Sequence, residues 1–212
     1  MIGQTTDVYL FIQDTLADWE IGYVTAEINS KRFFKKDAPV INLHTVADTL
    51  DPVRTMGGLT VVPDCTVDCI CPGNNVMIIL PGSNSWSDLH DSPIIGKVKS
   101  VLDSGGTVCA ICGATVVLAD FGILDNRRHT SNGPGFLEYF SKNYKGQKMY
   151  EDVPAVSDGG VITAGASGPV QWSKLILEKL SVFSENTLEA WYNYYETGNP
   201  KYFYDIQNSL NE

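Results

Sequence analysis

The sequence predicts an α/β fold, a three-layer sandwich with a mostly parallel sheet and helices on both faces. Three observations carry the prediction. Short apolar runs alternate along the chain with stretches of helical periodicity. The most apolar runs, "NVMIILPG" at 75–82 and "TVCAI" at 107–111, lack the in–out alternation of a half-solvated strand, as strands covered on both faces do. Gly-Gly and Pro-Gly steps mark the joints between elements.

The elements follow in order. "DVYLFI" (7–12) is the first strand, and 17–30 forms a helix ending at a charged loop. "VINLHTVA" (40–47) alternates as a strand, and "LTVVPD" (59–64), after Gly57-Gly58, is a short one. Past the strand at 75–82, residues 93–103 carry Ile94, Ile95, Val98, Val101 and Leu102 at helical spacing. The strand at 107–111 leaves the Gly105-Gly106 turn and leads into a helix over 113–121, stopped by Gly122. Beyond it the pattern predicts a helix at 135–143, strands at 153–156 and 160–164, and a helix at 169–180. The final helix, 185–197, ends at Gly198-Asn199-Pro200, a glycine stop backed by proline. No repeat, low-complexity tract or linker interrupts the order. Residues 1–212 read as a single domain, long enough to bury a core without staples.

The chain carries 25 acidic against 15 basic side chains, a net charge of −10. That balance argues against a nucleic acid or an anionic membrane as partner, since both need a basic surface. The one basic cluster, Lys31, Arg32, Lys35 and Lys36, reads as a solvated helix end and loop. The N-terminus shows no basic segment leading a long apolar stretch, and no apolar run reaches membrane-span length. Five cysteines, an odd count, do not suggest a disulfide scaffold, so a reducing cytoplasm is the expected home.

The chemistry concentrates in "TVCAICGA". A strand turning sharply into a helix lifts the turn residue above the carboxyl edge of the sheet, where open α/β folds bind ligands. Such an elbow crowds its own backbone and demands small neighbours. Ala110 and Ala114 stand two residues either side of Cys112, and Gly113 follows it. Cys112 therefore occupies the nucleophile's position, whereas Cys109 lies inside the strand. The N–H groups opening the next helix favour a thiolate and supply oxyanion donors, so Cys112 is expected to be the one strongly acidic thiol.

"AICGATVVLADFGILDNRRHTSN", with "YLFIQDTLADWE", "VMIILPGS" and "VITAGASGPVQWSKLILEKL", resembles the ThiJ/PfpI family of the class I glutamine amidotransferase-like superfamily. The resemblance spans nearly the whole chain and implies a flavodoxin-like sandwich, a homodimer and no cofactor. It also implies that an acidic residue at the start of the first helix meets the elbow thiol as a protonated carboxyl. Glu20 fits that position, with Asp18 as the fallback. The Gly82-Ser83 backbone is implied as an oxyanion donor partnered with Gly113. The family's histidines are missing: Gly113 follows the nucleophile, and Asn132 stands where another branch has histidine.

His129 and Thr130 lie in the same stretch as Asn132, and two placements of His129 are open, in the pocket or toward solvent. Trp86, after the glycine turn, either lines the pocket or packs in the core. Cys65, Cys69 and Cys71 form a C-x3-C-x-C spacing without a second Cys/His pair nearby, since His90 is well removed; a surface loop with incidental thiols is expected, and no metal site. His44 reads as structural, and the aromatic run from Trp191 to Tyr195 as packing. The expectation is a cysteine enzyme acting on a small electrophilic substrate as a hydrolase, amidase or lyase. Its rivals are a redox-responsive protein oxidised at Cys112 and a silent interaction module.

Overall fold

The computed structural model describes residues 5–86 and 92–210. Its strands are β1 (Thr5–Phe11), β2 (Val40–Ala47), β3 (Val53–Arg54), β4 (Thr60–Val61), β5 (Cys65–Thr66), β6 (Val76–Leu80), β7 (Thr107–Ile111), β8 (Ala155–Asp158) and β9 (Val161–Ala164). Its helices are α1 (Asp18–Ser30), α2 (Pro93–Asp103), α3 (Ala114–Asp120), α4 (Phe136–Phe140), α5 (Pro169–Leu180), α6 (Glu185–Thr197) and α7 (Lys201–Ser209).

Seven strands form one sheet in the order β5-β2-β1-β6-β7-β9-β8. Every neighbouring pair is parallel except the β8–β9 hairpin, whose turn residues Gly159 and Gly160 both take positive φ. Alternate residues of the central strands feed opposite layers. Ile79, Cys109 and Ile111 pack with Ile28 of α1, Trp172 of α5 and Trp191 of α6. Ile78, Leu80, Val108 and Ala110 pack with Val98 of α2 and Leu118 of α3. This is the predicted flavodoxin-like three-layer sandwich. All five residues of β6 and of β7 are buried, which explains why neither strand alternates between apolar and polar residues.

The structure departs from the sequence pattern in six places, among them the helix expected at 135–143, which shortens to α4, and the strand expected at 153–156, which lies two residues later as β8. The run at 59–64 yields only β4, which pairs antiparallel with β3 outside the main sheet; Pro63 offers no N–H to extend it. Cys65 lies in β5, on the edge of β2, rather than in a loop. The chain does not end its helices at 197: Gly198, left-handed, stops α6, and Pro200 then caps α7, whose Ile206 is buried. Arg32 is not simply solvated. It pairs with the buried Glu27 carboxylate, which also accepts the Trp191 indole N–H at 3.0 Å. Elsewhere His44 stacks on Tyr9, with ring centroids 5.4 Å apart. His90 lies outside the described residues. Among the described residues no helix is long and apolar enough to cross a membrane.

Candidate active site

β7 hands over to α3 at Cys112, which adopts φ +57°, a left-handed conformation costing a non-glycine residue about 1 kcal/mol. Three hydrogen bonds hold it there. Cys112 N–H donates to the Ala164 carbonyl of β9 at 2.9 Å, and the Cys112 carbonyl accepts from Thr115 N–H and from the Thr115 hydroxyl. The thiol stands clear of the strand, half-buried, while Cys109 is sealed in the core. The side chains two residues either side are alanines without exposed surface, as the crowding requires.

Glu20 comes from the first turn of α1 and is fully buried. Its Oε2 accepts the Gly82 N–H at 2.6 Å. Its Oε1 is buried without a hydrogen-bond partner, and the carboxyl lies beside the Cys112 thiol. Gly82 makes this approach possible: a Cβ there would lie 2.7 Å from Glu20 Oε2 and 2.9 Å from Cys112 Cβ. The Gly82 N–H is therefore committed to the carboxylate, and the expected oxyanion role does not fit it. The Ser83 backbone faces the elbow, its nitrogen 3.9 Å and its oxygen 3.3 Å from where a Gly113 Cβ would stand. The Ser83 hydroxyl donates away from the elbow, to the Asp14 carbonyl.

Asn132 reaches the sulfur from the other side. Its Nδ2 donates to Cys112 Sγ at 3.3 Å, and its Oδ1 accepts the Ala166 N–H at 2.8 Å, which fixes which end faces the thiol. An amide thus takes the place where the resemblance has histidine, and it donates without being able to accept a proton.

Three expected pocket residues lie elsewhere. Asp18 accepts the Gly57 N–H at 2.6 Å. Desolvation raises its carboxyl slightly, but the Thr55 hydroxyl and the Gly57 N–H together hold it below the ordinary range. His129 is fully buried, its Nε2 2.6 Å from the Tyr144 hydroxyl and its Nδ1 2.7 Å from the Arg127 carbonyl. Burial also pushes its pKa down. Thr130 is buried too, taking its N–H to Thr163 and its hydroxyl to the Val153 carbonyl. Both fall on the stretch that bridges to Tyr150, one packed turn short of the cavity.

Burial raises the pKa of Glu20, opposed by the Gly82 N–H and the thiol. Burial raises Cys112 as well; the Asn132 amide and the Gly113 N–H pull it back, and a charged Glu20 pushes it up again. The expected strongly acidic thiol is thus not what the surroundings impose by themselves. Desolvation outweighs the N–H groups that open α3. What the geometry does impose is that thiol and carboxyl cannot both ionise cheaply. Cys109 is driven up by burial alone, and Cys65 is pushed up to about 11. Among the described residues no three Cys, His, Asp or Glu side chains gather as a metal site.

Cys112 and Gly113 floor a cavity of about 440 Å³. Ser83, Asn84 and Asn132 edge it near the thiol, and Trp86 forms one wall. The indole is pinned by its N–H to the Pro81 carbonyl at 2.8 Å and by Phe11, 5.6 Å away. The sequence reading missed the far walls: Val116, Val117 and Asp120 of α3, and Phe121, Phe136 and Phe140. Their signal was present, since 112, 116 and 120 fall on one face at helical spacing.

A cysteine on a strained turn at the carboxyl edge of a parallel sheet, with a carboxyl from the first helix against it, is the design of the class I glutamine amidotransferase-like superfamily. Sequence comparison narrows the class: residues 6–179 match the DJ-1/PfpI family, and the chain belongs to it. It is 42% identical over 208 residues to the "Uncharacterized protease YoaZ" of Bacillus subtilis, covering 98% of this chain and 99% of that one. A ThiJ/PfpI family protein from Bacillus anthracis superposes with a TM-score of 0.95 at 40% identity, over 99% of each chain. The "Glutathione-independent glyoxalase DJR-1.2" of Caenorhabditis elegans is 28% identical over 134 residues, 61% of this chain and 68% of that one.

Proposed function

We propose that the protein is a cysteine enzyme acting on small carbonyl electrophiles, with Cys112 as nucleophile and Glu20 as proton carrier. The observation that carries this is a half-buried thiol beside a fully buried carboxyl whose Oε1 has no hydrogen-bond partner. With a proton on Glu20, its O–H donates to the sulfur and leaves a thiolate. The thiolate adds to the carbonyl carbon, forming a C–S bond, and the C=O π pair moves to oxygen. The Ser83 and Gly113 N–H groups beside the elbow are the donors this reading assigns to that oxygen. The Glu20 proton then passes to it, giving a neutral hemithioacetal and a carboxylate. That carboxylate serves as the base for the next step, whether loss of a proton from carbon or activation of water.

The same geometry weighs against peptide hydrolysis. Acyl transfer to cysteine draws on a base that takes the thiol proton and hands it to the leaving amine, and His129, engaged with Tyr144, is not among the cavity's lining. Among the described residues no histidine lines the cavity. The word "protease" in the name of the Bacillus subtilis relative and "glyoxalase" in that of the nematode one thus point in different directions, and this site favours the second kind of chemistry.

The test is turnover of a panel of aldehydes, α-oxoaldehydes, amides and peptides by wild type and Cys112→Ser. Turnover of a carbonyl compound, lost in Cys112→Ser, is the expected result. Efficient peptide hydrolysis with the same dependence overturns the proposal. Absence of any turnover, with selective oxidation of Cys112 by peroxide, transfers the site to the redox-responsive reading.

A further inference from the structure

We infer that the ligand of this cavity is an uncharged molecule with an apolar body, an aryl ring or a short alkyl chain, which lies between Trp86 and the α3–α4 wall while its electrophilic end meets Cys112. The inference deepens the proposed function and rests on it for the identity of the reacting group. Its own basis is the far end of the cavity. Trp86 is held rigid by its indole hydrogen bond and by Phe11. The lining also holds Val116, Val117, Phe136 and Phe140, the two phenyl rings 4.8 Å apart and tilted by 50°. Phe140 is half-exposed, apolar surface beside the mouth with no solvent reason to be there. A cavity of about 440 Å³ holds much more than a two- or three-carbon aldehyde.

Charge gives the second half. No lysine, arginine or histidine lines the cavity among the described residues, and Asp120 contributes a carboxylate fixed by the Ser141 hydroxyl at 2.5 Å. A carboxylate or phosphate on the ligand would be desolvated beside Asp120 and near the carboxyl–thiol pair, within a protein of net charge −10. Anionic carbonyl compounds are thereby disfavoured, and neutral ones with hydrocarbon tails are selected.

The experiment measures second-order rates of Cys112 alkylation in the intact protein, with each rate divided by that of the same reagent toward glutathione. A series of N-alkyl chloroacetamides from methyl to butyl, with N-benzyl, reads the apolar wall; iodoacetate against iodoacetamide reads the charge. Each fully buried methylene is worth about 0.8 kcal/mol, or about fourfold. N-butyl and N-benzyl should therefore exceed N-methyl by about tenfold or more, and iodoacetate should fall below iodoacetamide. Phe140→Ala and, independently, Val116→Ser should flatten the alkyl series, and Asp120→Asn should narrow the penalty on iodoacetate. A flat series in wild type, or a preference for iodoacetate, overturns the inference even if carbonyl turnover is found. A steep series without turnover supports it and counts only against the enzyme reading, because alkylation needs no catalytic cycle.

Discussion

Replacing Glu20 by glutamine tests where the proton sits, because the two arrangements predict changes of opposite sign. Oε2 accepts the Gly82 N–H at 2.6 Å, so the glutamine carbonyl oxygen must take that place and its NH2 must face the sulfur. If Glu20 holds the proton, an O–H···S⁻ bond is exchanged for a weaker N–H···S⁻ bond. The difference between a strong charge-assisted bond and an ordinary one is about 1.4 kcal/mol, so the thiolate fraction at fixed pH falls about tenfold. If Glu20 is instead ionised beside a neutral thiol, the substitution removes a like charge. At about 4 Å and an effective dielectric of about 20 that repulsion is about 4 kcal/mol, and the thiolate fraction would rise several hundredfold. Thiolate absorbance titrated against pH, with Cys112→Ser subtracting the other four cysteines, reads the sign directly. We expect the fall. A rise refutes Glu20 as the proton carrier, and no change disconnects the carboxyl from the sulfur.

Three further outcomes follow from the same geometry. Burial raises the Glu20 carboxyl, so the fold favours its protonated form, and stability present at low pH is lost as pH climbs from the unfolded to the folded value. Glu20→Gln should therefore melt higher than wild type at neutral pH, with the gap closing below about pH 4; equal melting temperatures at neutral pH contradict it. Gly82→Ala drives a methyl to within 2.9 Å of Glu20 and Cys112, which should displace the carboxyl, cost about 1–3 kcal/mol and abolish selective Cys112 reactivity. Denaturant melts and alkylation rates measure both effects, and a wild-type rate in a folded variant contradicts the close approach. His129→Ala should lose about 2–4 kcal/mol through its buried bonds to Tyr144 and Arg127, while turnover by the folded fraction stays near wild type. A hundredfold loss of activity at unchanged stability would return His129 to the chemistry.

The elbow is legible in the sequence because its constraint is local: a turn that crowds its own backbone writes small residues at fixed offsets around Cys112. The doubly covered strands are legible for a similar reason, since burial on both faces leaves Thr107 the one hydroxyl in β6 and β7. The two-residue strands β3, β4 and β5 are too short for any period to register. α7 hides behind Pro200, which reads as the end of α6 and equally serves to begin another helix. Glu20 is reached through the resemblance rather than through its own pattern, because acidic residues in a first helical turn are ordinary. The roles of Gly82 and His129 depend on tertiary neighbours 62 and 15 residues away, Glu20 and Tyr144, which no local spacing encodes. The phenylalanine wall depends in turn on how α4 docks against α3.

The groups around the sulfur arrive from four different crossings of one sheet edge. Glu20 follows β1, Gly82 and Ser83 follow β6, Cys112 ends β7, and Ala166, which orients Asn132, follows β9. Their mutual distances therefore depend on the register of four neighbouring strands at once, and a slip in any one pairing dissolves the thiol's surroundings. Cys109, three residues earlier and without exposed surface, responds to the opposite event, becoming reachable when β7 leaves the sheet or the helices packed over it come away. In a pulse of alkylating reagent during refolding, Cys109 protection times the assembly of the sheet, and the appearance of fast Cys112 labelling times the completion of its edge. The two cysteines of "CAIC" thus form an internal clock for folding, one silenced by the native state and the other brought to life by it.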